Sequence, residues 1–218
     1  MRAETAAIVL AGGSGRRLAG DSRAAGGKPR VVVGGRTLLE HVCAAADLVA
    51  ARIVAVGDPQ PPVPAESLAD STPGAGPLAA LADGLRRITA ADAVATTAVI
   101  LSCDVPLVRP AVLGRLVRLS REREGVWVVP RVDGRLEPLV SAADPARLLP
   151  WVERRLAAGA RDLMGLCRQL AEMTPPGMVE LDAAALVDDD PQRLSFFDVD
   201  TPEALDRLLA RGIPPSPP

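Results

Sequence analysis

Ala6-Ala7-Ile8-Val9-Leu10-Ala11-Gly12-Gly13-Ser14-Gly15-Arg16-Arg17 is the stretch on which the reading of this chain turns. Ala6 to Leu10 is a short apolar run without polar alternation, the pattern of a parallel strand buried on both faces. The run stops at glycines, which let the backbone turn tightly and bring its N–H groups close to an anion. Arg16 and Arg17 follow at once, with charge that can pair with phosphate oxygens. The stretch therefore predicts a phosphate-binding loop, with an ordinary strand-to-helix turn and solvated arginines as the competing reading. The two commoner phosphate loops do not fit. A dinucleotide fingerprint wants a third glycine where Leu18 stands, and a P-loop wants Gly and Ser or Thr where Ser22 and Pro29 flank Gly27-Lys28.

Working outward, Arg36 to Ala50 places Leu38, Leu39, Val42, Ala45, Ala46 and Val49 at helical spacing, and Ile53 to Val56 predicts a second strand. Gln60 to Pro77, with several Pro and Gly, predicts a loop leading to a helix over about Leu78 to Ile88. Ala98 to Leu101 predicts a third buried strand, closed by Ser102-Cys103-Asp104-Val105-Pro106, and Pro110 suits the first turn of a helix reaching about Arg121. Val126 to Val129, Leu136 to Ser141, Met178 to Leu181 and Leu194 to Val199 predict further strands. Helices are expected over about Pro145 to Ala158 and Ala160 to Met173. Thr201 caps a final helix with Pro202 at its first position. This alternation predicts an α/β fold of three layers with a mostly parallel, doubly wound sheet. It forms a single domain over residues 1–212, followed by a Pro-rich tail over residues 213–218. Ligands sit beyond the carboxyl ends of such strands. Gly12 and Asp104 both fall there.

The composition narrows the partners. A net charge of −2 and 2% aromatic residues offer neither a basic surface nor stacking platforms for nucleic acid. No apolar run approaches the roughly 20 residues that span a membrane, and no signal-peptide pattern precedes the first strand. Cys43, Cys103 and Cys167 lack zinc-ligand or disulfide spacing, so a reduced cytoplasmic protein is expected. Of the 25 basic residues only Lys28 is lysine. Lysine offers phosphate a compact point charge where arginine offers a planar fork. Asp104, at the end of a buried strand, can hold a hard cation or cap a turn. Pro73-Gly74-Ala75-Gly76-Pro77-Leu78 could present free amides to a base or phosphate, and a plain loop is equally compatible. His41 reads as structural, Asp188-Asp189-Asp190 as a solvated loop, and Arg121-Glu122-Arg123-Glu124 as an exposed helix end.

In order and spacing, a set of motifs running from about Ala6 to Leu209 resembles the MobA-like molybdenum cofactor guanylyltransferase family. They are Val9-Leu10-Ala11-Gly12-Gly13-x-x-Arg16-Arg17, Lys28-Pro29, Gly34-Gly35-Arg36-Thr37-Leu38-Leu39, Gly76-Pro77-Leu78-Ala79, Cys103-Asp104-Val105-Pro106 and Asp198-Val199-Asp200-Thr201-Pro202-Glu203. The resemblance implies a Rossmann-like nucleotidyltransferase that moves GMP from GTP to the phosphate of the molybdenum–molybdopterin cofactor, releasing pyrophosphate with magnesium (Mg2+) as cofactor. It implies nucleotide binding by Leu10, Ala11, Gly12, Gly13, Lys28 and Asp104, together with Glu66 or Asp70 near the nucleoside. It implies catalytic roles for Arg16, Lys28 and Asp104, with Asp104 on the metal, and passing contact with proteins that deliver or receive the cofactor. Relatives that use CTP tend to carry Leu-Ala-Ala-Gly where this chain has Leu10-Ala11-Gly12-Gly13, which suggests guanine. Two departures stand out. Relatives usually have Asp-Lys adjacent, whereas Ser22-Arg23-Ala24-Ala25-Gly26-Gly27 separates Asp21 from Lys28. Glu137-Pro138-Leu139 stands where His-Pro-Leu or Gln-Pro-Leu is common. The alternatives are a cytidylyltransferase for the same cofactor, a guanylyltransferase for phospholactate-type acceptors, and a nucleotide-binding module without catalysis.

Overall fold

The computed structural model describes residues 2–12, 18, 21–57, 63–90, 95–124 and 126–212. The strands are β1 (Thr5–Leu10), β2 (Val32–Val33), β3 (Arg36–Thr37), β4 (Arg52–Val56), β5 (Glu66–Leu68), β6 (Thr97–Ser102), β7 (Trp127–Val132), β8 (Arg135–Leu136), β9 (Val140–Ala143) and β10 (Met178–Asp182). The helices are α1 (Leu38–Asp47), α2 (Pro77–Ala90), α3 (Pro110–Glu122), α4 (Pro145–Ala157), α5 (Leu163–Ala171) and α6 (Pro202–Arg211). The main sheet runs β10-β7-β9-β6-β1-β4-β5, with β8 hairpinned onto β7. β6, β1, β4 and β5 are mutually parallel, and β10 is parallel to β7. β9 runs antiparallel between β6 and β7.

The apolar run of β1 is buried along its whole length because both faces are covered. Alternate side chains serve opposite layers, as the two-residue pleat demands. Ala7 and Val9 pack with Leu39 and Val42 of α1 and with Val112 and Leu116 of α3. Ala6, Ile8 and Leu10 pack with Leu78, Leu81 and Leu85 of α2, on the side that also buries Leu148 of α4 and Leu166 of α5. Gly84 makes this closeness possible: a Cβ there would lie 2.5 Å from Ile8 Cγ2. A third cluster joins Ala24, Val31, Leu38 and Leu107 to Val199, Leu205 and Leu208, and so fastens α6 beside the β2–β3 hairpin. Thr37 and Glu40 form a reciprocal capping box on α1. Thr201 caps α6 through Ala204 N–H, with Pro202 in its first turn.

Three sequence expectations need correction. The segment from Gln60 to Pro77 is not all loop, because Glu66–Leu68 forms an edge strand too short to show a period. Leu136 to Ser141 is two strands rather than one, parted at Pro138, which has no N–H to give to a ladder. Leu194 to Val199 is no strand: Leu194–Phe196 forms a 3-10 turn, and the chain then leads to Val199, whose N–H donates to Asp104 O at 2.9 Å.

Candidate functional site

The parallel order brings the carboxyl ends of β1, β4 and β6 together. Ala11 N–H donates to Val56 O at 2.8 Å and Cys103 N–H to Leu10 O at 3.0 Å, so the chain leaving β1 is tied on both sides. Leu10 and Ala11 are buried, and their side chains belong to the core. Any ligand they meet is met by backbone. Gly57, just past β4, backs the same turn. A Cβ on Gly57 would lie 2.7 Å from Ala11 C and 2.8 Å from Gly12 N, and its φ is +150°. Gly12 is exposed. Gly13 and Arg16, the other two loop residues expected at the site, lie outside the described residues, as do Ser14, Gly15 and Arg17.

Asp104 follows β6 at the same edge, and Lys28 reaches it. Lys28 Nζ donates to Asp104 Oδ2 at 2.7 Å and also to Asp200 Oδ1. The residues separating Asp21 from Lys28 do not carry the lysine away. They fold into a 3-10 turn over Ser22–Ala24, capped by Asp21 on Arg23 N–H, and a second turn then opens at Gly27 and holds Lys28. Ala24 and Val31, on either side, are anchored in the third cluster. Burial alone would lower the Lys28 pKa, but the Asp104 and Asp200 carboxylates outweigh it and hold the ammonium above the usual lysine range.

More negative charge surrounds this pair. Burial raises the Asp198 pKa, and Asp200 and Asp104 raise it further. Glu137 is pushed up to about 7, first by burial and then by Asp198 and Asp104, with Arg135 opposing. Carboxylates gathered about an ammonium suit a hard cation with oxygen ligands. Among the described residues no three His, Cys, Asp or Glu groups converge closely enough to hold a metal by themselves. Magnesium seldom needs such a cage, since one or two carboxylates plus substrate phosphates satisfy it. Asp104 and Asp200, already sharing a cation in Lys28, meet that requirement. All three cysteines are buried. Burial pushes Cys43 and Cys167 up to about 12, and Cys103 is also raised by burial, which leaves them as inert thiols.

Of the two acidic candidates near the nucleoside, the geometry separates Glu66 from Asp70. Glu66 lies within β5 and is engaged by Arg52 at 2.7 Å and by Arg87. Asp70 lies past the strand end, with Oδ2 3.9 Å from where a Gly12 Cβ would stand. Its Oδ1 accepts Thr72 N–H at 2.9 Å. Asp83 on α2, which sequence reasoning missed, fixes this loop by accepting Ser71 N–H at 2.8 Å and Ser71 Oγ–H at 2.9 Å.

His41 has a structural partner, its Nε2 lying 2.9 Å from Val33 O. The acidic run at 188–190 is not wholly solvated: Asp190 is buried and accepts Ser195 N–H at 2.7 Å. Arg121 likewise turns inward to donate to Thr97 Oγ1 at 3.0 Å. Asp200 and Gly57 are the functional candidates given no role from sequence. In the sequence Asp200 stood only within the Asp198-Val199-Asp200-Thr201-Pro202-Glu203 motif, just ahead of a capped helix.

Residues 7–173 match the family model for the MobA-like NTP transferase domain. A protein named probable molybdenum cofactor guanylyltransferase from Mycobacterium avium (strain 104) is 37% identical over 166 residues, covering 75% of this chain and 80% of that one. Another of that name, from Opitutus terrae, is 34% identical over 180 residues, covering 81% and 84%. Molybdopterin-guanine dinucleotide biosynthesis protein A from Archaeoglobus fulgidus, a crystal structure, shares the fold with a TM-score of 0.72 at 24% identity over 93% of this chain and 95% of that one. The 2-C-methyl-D-erythritol 4-phosphate cytidylyltransferase structure from Thermus thermophilus gives 0.65 at 21% identity over 95% and 98%.

Proposed function

Since the chain belongs to the MobA-like NTP transferase family, we propose that it transfers GMP from GTP to the terminal phosphate of the molybdenum–molybdopterin cofactor. Pyrophosphate is released, and Mg2+ is the metal. The observation that carries this reading is the Lys28 ammonium held between Asp104 and Asp200, at the strand edge from which Gly12 departs. That edge brings two carboxylates and a point charge within one small space.

The acceptor is a phosphate monoester, whose second pKa of about 6 leaves it largely dianionic at neutral pH. It needs no strong general base, in keeping with a site built of carboxylates and one lysine. An acceptor oxygen forms a bond to the α-phosphorus of GTP as the bond to the β-phosphate bridging oxygen breaks, and that electron pair leaves with pyrophosphate. Catalysis is then alignment and charge neutralisation. A divalent cation bound through Asp104 and Asp200 would offset charge on the triphosphate. Lys28, released from the carboxylates, would face the phosphate oxygens, with backbone N–H groups of the turn after β1 alongside it. Asp70 would face the nucleoside across Gly12. Arg16 is assigned to the phosphates by its place in the loop.

The test is pyrophosphate release from GTP, the molybdopterin cofactor and Mg2+, with CTP in parallel. Release with GTP that requires the acceptor supports the assignment. Preference for CTP would make the protein a cytidylyltransferase, and binding without release would make it a nucleotide-binding module.

A further inference from the structure

A cavity of about 570 Å³ opens on the α5 side of the sheet, bordered by the β7–β8 hairpin, β10 and α5. This volume lies in the range of small-molecule sites. Cys167 and Met178 line it from the core, Leu136 is half-buried at one wall, and Met164 is 39% exposed at its mouth. The cavity borders the site described above. Glu137 lines it while its carboxyl feels Asp198 and Asp104. The same segment reaches β6 through Ser102 N–H, which donates to Leu139 O at 3.0 Å, two residues before Asp104.

The charges around the mouth are of two kinds. Arg131 is committed: Glu180 accepts from it at 2.7 and 2.6 Å, and Gly134 O at 2.7 Å. Arg135 and Arg168 make no hydrogen bond or ion pair among the described residues, and neither does the Glu172 carboxylate. Arg168 and Glu172 sit one helical turn apart at the end of α5, so their side chains emerge side by side. A carboxylate next to a guanidinium complements a 2-amino-4-oxo-pyrimidine edge. The carboxylate accepts from the amino group and the ring N–H, and the guanidinium donates to the ring carbonyl. The methionine sulfurs and Leu136 suit the flat face of such a ring.

We propose that this cavity takes the acceptor's heterocycle, a flat 2-amino-4-oxo ring system read by Arg168 and Glu172, and so leaves its phosphate to run past Glu137 toward Asp104. The proposal rests on the transfer reaction assigned above. It predicts two pockets meeting at Glu137: the nucleoside lies over Gly12 and Asp70, and the acceptor ring lies over Met164 and Met178.

Guanine and pterin share this hydrogen-bonding edge, so the experiment separates them. A fluorescent pterin carrying a phosphate monoester is titrated into the full-length protein without nucleotide, and GTP is titrated separately. Glu172→Ala and Arg168→Glu are each expected to weaken the pterin at least tenfold while GTP affinity stays within twofold. Arg118→Glu, the same charge change on the other face of the sheet, is expected to leave both unchanged. Equal loss in Arg118→Glu and Arg168→Glu would reduce the effect to overall charge and overturn the proposal. Parallel loss of GTP binding would place guanine in the cavity and overturn it too. Wild-type protein that releases pyrophosphate with the cofactor but whose pterin binding ignores Glu172 would sink the cavity assignment alone. Failure of pyrophosphate release, with pterin binding still dependent on Glu172 and Arg168, would sink the transfer reaction and spare the cavity.

Discussion

Gly57→Ala tests whether the end of β4 sets the geometry of the nucleotide loop. The new methyl would sit 2.7 Å from Ala11 C, 2.8 Å from Gly12 N and 2.9 Å from Ala11 O. Carbon atoms in contact prefer about 3.5–4.0 Å, so relief requires a shift of roughly 1 Å. The obstructing atoms are backbone and cannot rotate aside. Ala11 is held to Val56 O at 2.8 Å and Gly57 to Leu68 O at 2.9 Å, so the shift must pass into the turn after β1. Overpacking of this kind costs about 1–3 kcal/mol of stability, and a reacting group misplaced by about 1 Å can cost ~100-fold in rate. Gly84→Ala is the matched control, because the nearest atoms to its methyl belong to the Ile8 side chain, at 2.5 Å from Cγ2. Urea unfolding should show a loss in both variants, larger in Gly57→Ala because a side chain at φ +150° adds backbone strain to the clash. GTP titration and pyrophosphate release should show a large loss in Gly57→Ala only. A Gly57→Ala protein that binds and turns over GTP as well as Gly84→Ala would refute the reasoning.

Removing the ammonium in Lys28→Ala should cost about 2–4 kcal/mol in transition-state stabilisation, yet tighten Mn2+ binding measured by electron paramagnetic resonance without nucleotide, since Asp104 and Asp200 lose their resident cation; a loss of turnover under tenfold would count against the lysine's role. Glu137 has its pKa raised from 4.5 to about 7, so it contributes stability that is complete below about pH 4.5 and lost as pH rises through about 7. Glu137→Gln should therefore flatten the fall in Tm between pH 5 and 8, and an unchanged slope in thermal melts would contradict the burial of that carboxyl. Asp70→Ala should weaken GTP about tenfold by calorimetry. Glu66→Gln should leave GTP affinity alone and cost at most about 1 kcal/mol of stability, as half-exposed ion pairs do; the reverse pattern would exchange the two assignments.

The sequence made the sheet legible where burial on both faces wrote it as continuous apolar runs. β1, β4 and β6 fall where Ala6–Leu10, Ile53–Val56 and Ala98–Leu101 predict them. It was silent where structure depends on partners distant in the chain. β5 is three residues long and exists because Val54 to Val56 offer it a ladder. The segment ending at Val199 has strand-like composition, but Asp104 O takes its N–H and no neighbouring strand does. The site followed the same rule. Lys28 and Asp104 stood out by residue type and position, whereas the choice between Glu66 and Asp70 needed Arg52 and Arg87 in place. The role of Gly57 depends on a backbone contact between two parallel strands, which local sequence does not record.

The ion pair between Lys28 and Asp200 joins residues 172 positions apart. On the ribosome, where synthesis runs at about 5–20 residues per second, every strand of the sheet has been made before Asp200 is added. The two clusters that flank the sheet have no buried member beyond Leu186, so they can pack while the second carboxylate is still missing. Lys28 then faces Asp104 alone, and the cation site gains its other half only as α6 docks. The docking of α6 thus decides whether the two proposed cation ligands meet, whatever the state of the sheet.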